Sequence, residues 1–113
     1  MWSSGLLPQV RPAAVWLVNA ARQAGYTVQI TSVFRSLAEQ AALHRTCSTH
    51  RCPYPVAAPG HSMHARRVAF DLSVTPASGY ERLGRAWEAL GGTWGGRFGD
   101  RVHFDARAIL GRP

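Results

Sequence analysis

Gly60-His61-Ser62-Met63-His64-Ala65-Arg66-Arg67-Val68-Ala69-Phe70-Asp71 carries a polar turn directly into an apolar run. From Val68 to Val74 the side chains alternate, with Val68, Phe70 and Leu72 to one side and Ala69, Asp71 and Ser73 to the other. That pattern predicts a strand with one face against a core. Thr75 and Pro76 end it. His64 and Asp71 flank the turn, 71 − 64 = 7 positions apart. Downstream, Asp100-Arg101-Val102-His103-Phe104-Asp105 brings a second histidine into a short apolar segment. The two pieces are read together as parts of one site.

Moving upstream, Tyr26 to Phe34 is rich in β-branched and aromatic residues. It predicts another strand, with Val28 and Ile30 on its buried face. Before it, Val10, Ala14, Leu17, Val18 and Ala21 recur at helical spacing and predict a helix from about Val10 to Ala24. Pro12 suits its first turn and Gly25 its end. Trp16 and, further on, Trp87 are read as core. Met1 to Gln9 is expected to be a loose leader. Ser36-Leu37-Ala38-Glu39 is a capping box that opens a helix to about His44. Residues 45–61, with Pro53, Pro55 and Pro59, form a long loop expected near the site, since such loops in small domains tend to be functional.

Moving downstream, Ser78-Gly79-Tyr80-Glu81 is a second capping box. It opens a helix to about Leu90, with Leu83, Ala86, Trp87 and Leu90 as the buried stripe. Short strands are expected at Thr93-Trp94 and from Arg101 to Phe104. The order α-β-α-β-α-β-β predicts an α+β fold. Residues 1–113 are read as a single small domain, with a mainly antiparallel sheet flanked by helices.

At 113 residues the chain has room for one core. Its apolar share of 46% is that of a folded protein rather than a disordered one. The formal charge is +7, and all 13 basic residues are arginine. Such a balance suits polyanionic partners: nucleic acid, an anionic membrane surface or an acidic cell wall. A solvated basic surface accounts for it equally well. The arginines are scattered and no RNA-recognition or helix-turn-helix signature accompanies them, so nucleic-acid binding has charge alone behind it and is not expected. No run approaches the ~18 apolar residues of a membrane span, and no signal peptide is visible in the chain. Cys47 and Cys52 share one loop and leave three readings open: a small disulfide loop, two free thiols, or a second metal site with His44 or His50.

His64, Asp71 and His103 form a set that zinc uses, since catalytic zinc takes three protein ligands of this type and leaves a fourth position for water. With five histidines in the chain, spacing alone also admits plainer readings. His64 suits a loop, Asp71 suits a pair with Arg66 or Arg67, and His103 suits a satisfied core position.

Ser62-Met63-His64 followed by Ala69-Phe70-Asp71 resembles the Ser-x-His-x-x-Gly-x-Ala-x-Asp signature of a zinc peptidase family. That family holds the D-alanyl-D-alanine carboxypeptidases and L-alanyl-D-glutamate endopeptidases of bacteria and phages. Trp94-Gly95-Gly96-Arg97-Phe98 through Asp105 is similar to its second signature, and Thr31-Ser32-Val33-Phe34-Arg35-Ser36 with Gln40 to its upstream segment. The motifs run in order from about Tyr26 to Asp105.

The resemblance implies a Hedgehog/DD-peptidase-like fold and one catalytic Zn2+ ion on His64, Asp71 and His103. It implies Asp100 as acid/base, Arg35 facing the scissile carbonyl, and Ser62 as a substrate contact or ligand support. His61 and Trp94 are further substrate-contact candidates, although a solvated loop suits His61 better and the core suits Trp94 and Phe104 better. Asp105 suits either a carboxylate that orients a ligand histidine or a surface one. An Asp at position 100 resembles the endopeptidase branch; the other branches more often use Glu. The implied substrate is a peptidoglycan stem peptide, cut by a monomer acting on the cell wall. D-alanyl-D-alanine carboxypeptidase activity is the alternative, as is a non-catalytic, zinc-stabilised wall-binding domain. Two positions depart from the pattern. Arg67 stands in place of the signature glycine, and Val33-Phe34 in place of Gly-Tyr. A positive φ at position 67 would put strain on Arg.

Overall fold

The structure, a computed structural model, describes residues 2–34, 38, 41–42, 44–46, 63–64 and 66–111. Four strands, β1 (Thr27–Ser32), β2 (Ala69–Thr75), β3 (Thr93–Trp94) and β4 (His103–Asp105), form one sheet in the order β1-β2-β4-β3. All three pairings are antiparallel. Two helices, α1 (Arg11–Gln23) and α2 (Gly79–Ala89), pack on it. This is the α+β architecture expected. Among the described residues no helix is long and apolar enough to cross a membrane.

Strand alternation divides the sheet into a packing face and a chemical face. Residues directly opposite on paired strands share a face. Val28 opposes Val74, Ile30 opposes Leu72, and Phe70 opposes Phe104, which in turn opposes Trp94. Leu72, Val74, Phe70 and Phe104 are buried with Leu17, Val18, Leu83 and Trp87 of the helices. The Phe70 and Phe104 rings stack at 5.6 Å, and Trp87 meets Phe70 edge-on at 5.1 Å. On the other face, Asp71 opposes His103 and Ala69 opposes Asp105. A bulge between Ile30 and Ser32 brings Ser32 opposite Asp71. Bulges of this kind re-aim side chains beside sites.

The buried stripe of α1 is the expected one: Val10, Ala14, Leu17, Val18 and Ala21. Trp16 is corrected. It is 55% exposed, because two residues beyond Ala14 is about 200° around the helix, away from the stripe. Leu90 is also corrected, at 52% exposed. The helix stops at Ala89, so Leu90 has already left the buried face. Ser78 does not cap α2 through its side chain, because its backbone is itself helical (φ −59°, ψ −21°). The carbonyls of Pro76 and Ala77 take the N–H groups of Gly79 and Tyr80 instead.

The leader is not loose. Trp2–Gly5 forms a 3-10 turn, Leu6 is 1% exposed, and the Trp2 ring lies 5.8 Å from that of Phe70. Apolar burial holds it, with Trp2, Leu6 and Leu7 on the core. Residues 44–46 are helical, so the expected helix runs past His44 and takes two residues from the long loop. The rest of that loop, with Cys47 and Cys52, lies outside the described residues, as do Ser36 and Glu39 of the first capping box.

Candidate metal centre

Three elements bring the site together. Asp71 sits mid-β2, His103 opens β4, and His64 comes from the turn before β2. The β2–β4 register sets Asp71 beside His103. That pairing places two residues 103 − 71 = 32 positions apart side by side. One ligand atom from each of His64, Asp71 and His103 lies within 4.8 Å of the others, and the three could hold a metal ion. Asp71 Oδ1 is 3.1 Å from His64 Nε2 and 3.4 Å from His103 Nδ1. Neither Arg66 nor Arg67 takes the place opposite this carboxylate; the two imidazoles do.

The far nitrogen of each ring is tied down. His64 Nδ1 lies 2.7 Å from the Val33 carbonyl oxygen. A carbonyl only accepts, so Nδ1 carries the proton and Nε2 is left with its lone pair toward Asp71. His103 Nε2 donates to Asp105 Oδ2 at 2.6 Å, which leaves Nδ1 facing Asp71. Asp105 is 0% exposed, so it is a buried orienting carboxylate and not a surface one. Arg107 holds it in turn through Nε and Nη2, and the Arg107 backbone N–H donates to Oδ1 at 2.9 Å. Outer partners of this kind fix the tautomer and angle of a ligand histidine.

The charges follow from this arrangement. Burial works against the imidazolium of His103, but its hydrogen bonds to Asp105 and Asp71 outweigh that and push the pKa up to about 9. Burial would raise Asp71; hydrogen bonds from His103 and His64 prevail and hold it at about 2. Asp105 is likewise raised by burial and lowered further by His103 and Arg107, to about 2. A site that gathers two ionised carboxylates around a buried histidine is built to hold positive charge.

Asp100 lies on the tight turn before β4 and is half-buried. Its N–H donates to the Gly95 carbonyl at 2.8 Å, and its carbonyl accepts from the His103 N–H at 3.0 Å. The turn therefore fixes Asp100 relative to His103. Gly95 permits that close approach: a Cβ there would overlap the Asp100 carbonyl oxygen and come within 2.8 Å of His103 Cβ.

Trp94 takes the core position, the favoured of its two readings, and not that of an exposed substrate contact. It is 7% exposed, its ring lies against Gly84 of α2, and its Nε1 donates to the Arg101 carbonyl at 2.8 Å. The exposed aromatic beside the site is Phe98, at 47% exposure and 6.2 Å from the His103 ring, with the Arg107 guanidinium over it at 5.4 Å. Sequence reasoning missed Arg107 and the individual place of Phe98. The one available signal for Arg107 was its position two residues after Asp105. Arg35, His61 and Ser62 lie outside the described residues.

Similarity to known proteins follows the same lines. The family model for D-alanyl-D-alanine carboxypeptidases, VanY, matches residues 4–104. Among curated proteins none matches the chain. Several solved structures share the fold. The LD-carboxypeptidase LdcB superposes with a TM-score of 0.70 at 22% identity, over 93% of this chain and 68% of that one. The vancomycin-resistance D,D-pentapeptidase VanY, solved with Zn(II), gives 0.66 at 16% identity, over 95% and 79%. VanYB in complex with D-alanine-D-alanine gives 0.69 at 16%, over 93% and 75%. With nearly the whole chain matched and the His-Asp-His set gathered on the sheet, the chain belongs to the VanY family of D-alanyl-D-alanine carboxypeptidases.

Proposed function

We propose that this protein is a zinc-dependent peptidase that hydrolyses short peptides of bacterial peptidoglycan, with its catalytic ion on His64 Nε2, the Asp71 carboxylate and His103 Nδ1. The observation that carries this reading is the convergence of these atoms, with the far nitrogen of each ring held by Val33 or Asp105. Two nitrogens and a carboxylate form a donor set that zinc takes in catalytic sites. Zinc held there supplies a Lewis acid for the scissile carbonyl and a water acidified toward neutrality.

The remaining steps fall to the chain's own residues. Asp100 accepts the proton of the attacking water and returns it to the leaving amine. Arg35 stays charged at working pH and faces the oxygen on which negative charge develops, a donor role that typically contributes ~3 kcal/mol. Phe98 offers an apolar face beside His103 to a small side chain such as the methyl of alanine. Ser62 and His61 contact the peptide. The +7 charge draws the protein to the anionic wall, outside the cytoplasm.

Two bond specificities have separate support. Asp100, in place of the Glu more often found in the other branches, favours cleavage between L-alanine and D-glutamate. The family model favours release of a terminal D-alanine. Digestion of purified peptidoglycan decides between them: new amino-terminal D-glutamate marks the endopeptidase, and free D-alanine marks the carboxypeptidase. His64→Ala is expected to lose both bound zinc, measured by metal analysis, and hydrolysis. Full hydrolysis by that variant would overturn the mechanism.

A further inference from the structure

We propose that Arg67 and Phe34 form a clasp that positions His64 for its metal, an inference that rests on His64 being a ligand. Among the described residues Arg67 is the one non-glycine at positive φ, 63°. Left-handed backbone at an arginine persists where its surroundings over-determine it. Here its N–H donates to the His64 carbonyl at 3.1 Å, and its own carbonyl accepts from the Leu7 N–H at 2.8 Å. The Val68 N–H closes the same turn on the Met63 carbonyl at 3.2 Å. The Arg67 guanidinium then lies over the Phe34 ring, 4.2 Å from its centroid, a favourable cation–π distance.

The residue before Phe34 supplies the other half of the grip. The Val33 carbonyl holds His64 Nδ1 at 2.7 Å. Two consecutive residues after β1 therefore hold one ligand twice, Val33 through its ring and Phe34 through the turn that carries it. The leader backs this pair: a Cβ on Gly5 would sit 2.8 Å from Val33 Cγ1 and 3.3 Å from the Phe34 nitrogen.

The stack is a surface feature and not a core contact. Phe34 is 43% exposed and Arg67 is exposed, so removing either leaves the packed face of the sheet intact. The clasp is thus placed to govern the aim of His64 more than the survival of the fold. It also joins the two positions at which the sequence departs from the family signature.

The test uses the full chain with Arg67→Gly, Phe34→Ala, their double variant and Phe34→Trp. Zinc affinity is measured by chelator competition, thermal stability by melting, and the His64 Nδ1 proton by NMR exchange in the metal-free protein. Arg67→Gly and Phe34→Ala are each expected to weaken zinc binding about tenfold or more, the range for outer partners of a ligand histidine. The double variant should be no worse than either single one, and Phe34→Trp should hold zinc like the parent. Arg67→Gly should keep or raise the melting temperature, because glycine accepts positive φ without strain. That split between stability and affinity is what a merely structural contact would not give. An Arg67→Gly protein that binds zinc as tightly as the parent overturns the clasp. Should the parent itself take up no zinc, the metal-centre reading fails, and the imidazole proton still decides the clasp. Slow exchange in the parent with fast exchange in both single variants supports it, and unchanged exchange overturns it.

Discussion

At the scale of residues, the site depends on which protons are held where. Asp105 illustrates this, being 0% exposed and bound to both His103 and Arg107. Asp105→Asn removes the buried charge and turns one of the two acceptor oxygens into an amide NH2, which must then face a donor on His103 or Arg107. It is expected to cost about 3 kcal/mol, the low end for breaking a buried pair because Arg107 is partly hydrated. It should also weaken zinc binding ~10–100-fold, both checked by denaturant melts and chelator competition.

The pH dependence follows from the same groups. His103, at about 9 against an ordinary 6.5, lends stability that is complete below pH 6.5 and lost as pH rises through about 9. Asp71 and Asp105, at about 2 against 3.8, lend stability present above pH 3.8 and lost as pH falls through about 2. Without metal, the melting temperature should therefore peak between pH 3.8 and 6.5. On the proposed ligand set, zinc binding would displace the His103 Nδ1 proton. Its affinity should then rise with pH until about 9, and binding at neutral pH should release about one proton. Calorimetry in buffers of different ionisation enthalpy measures that release.

At the scale of elements, close approach decides more than propensity. Gly84 of α2 lies flat against the Trp94 ring, and a Cβ there would overlap it. Gly84→Ala improves helix propensity by about 1 kcal/mol, yet overpacking typically costs ~1–3 kcal/mol. A net loss of stability is expected, seen as a lower denaturant midpoint. The elements themselves were legible in the sequence where periodicity was strong. The stripe from Val10 to Ala21 and the alternation through Phe70 and Leu72 both came out as read. What was not legible lay at element ends. Ser78 had the right residue type for a cap but a helical backbone. Trp16 had the right residue type for a core but the wrong angle on α1.

At the scale of the whole molecule, packing and chemistry occupy opposite faces of one sheet. The aromatic core of Phe70, Phe104 and Trp87 lies on the helix side, and Asp71, His103 and Asp105 lie on the other. Removing zinc with a chelator should therefore abolish hydrolysis while the far-ultraviolet circular dichroism stays that of the folded protein. The melting temperature should fall by only the linkage term, which grows with free metal over its dissociation constant.

The sequence by itself determined the strands, the helices and the metal-binding candidates, because strand alternation and helical spacing are local and the motif residues are few. The tertiary structure alone decided which hydrogen bonds set the two imidazoles, since Val33, Asp105 and Arg107 reach them through folding and strand pairing. It alone turned the leader from a loose end into a packed segment, and it alone put Phe98 at the rim. It also showed Arg67 at positive φ against Phe34. Residues 67 − 34 = 33 positions apart have no local pattern to announce their contact; the β1–β2 pairing creates it.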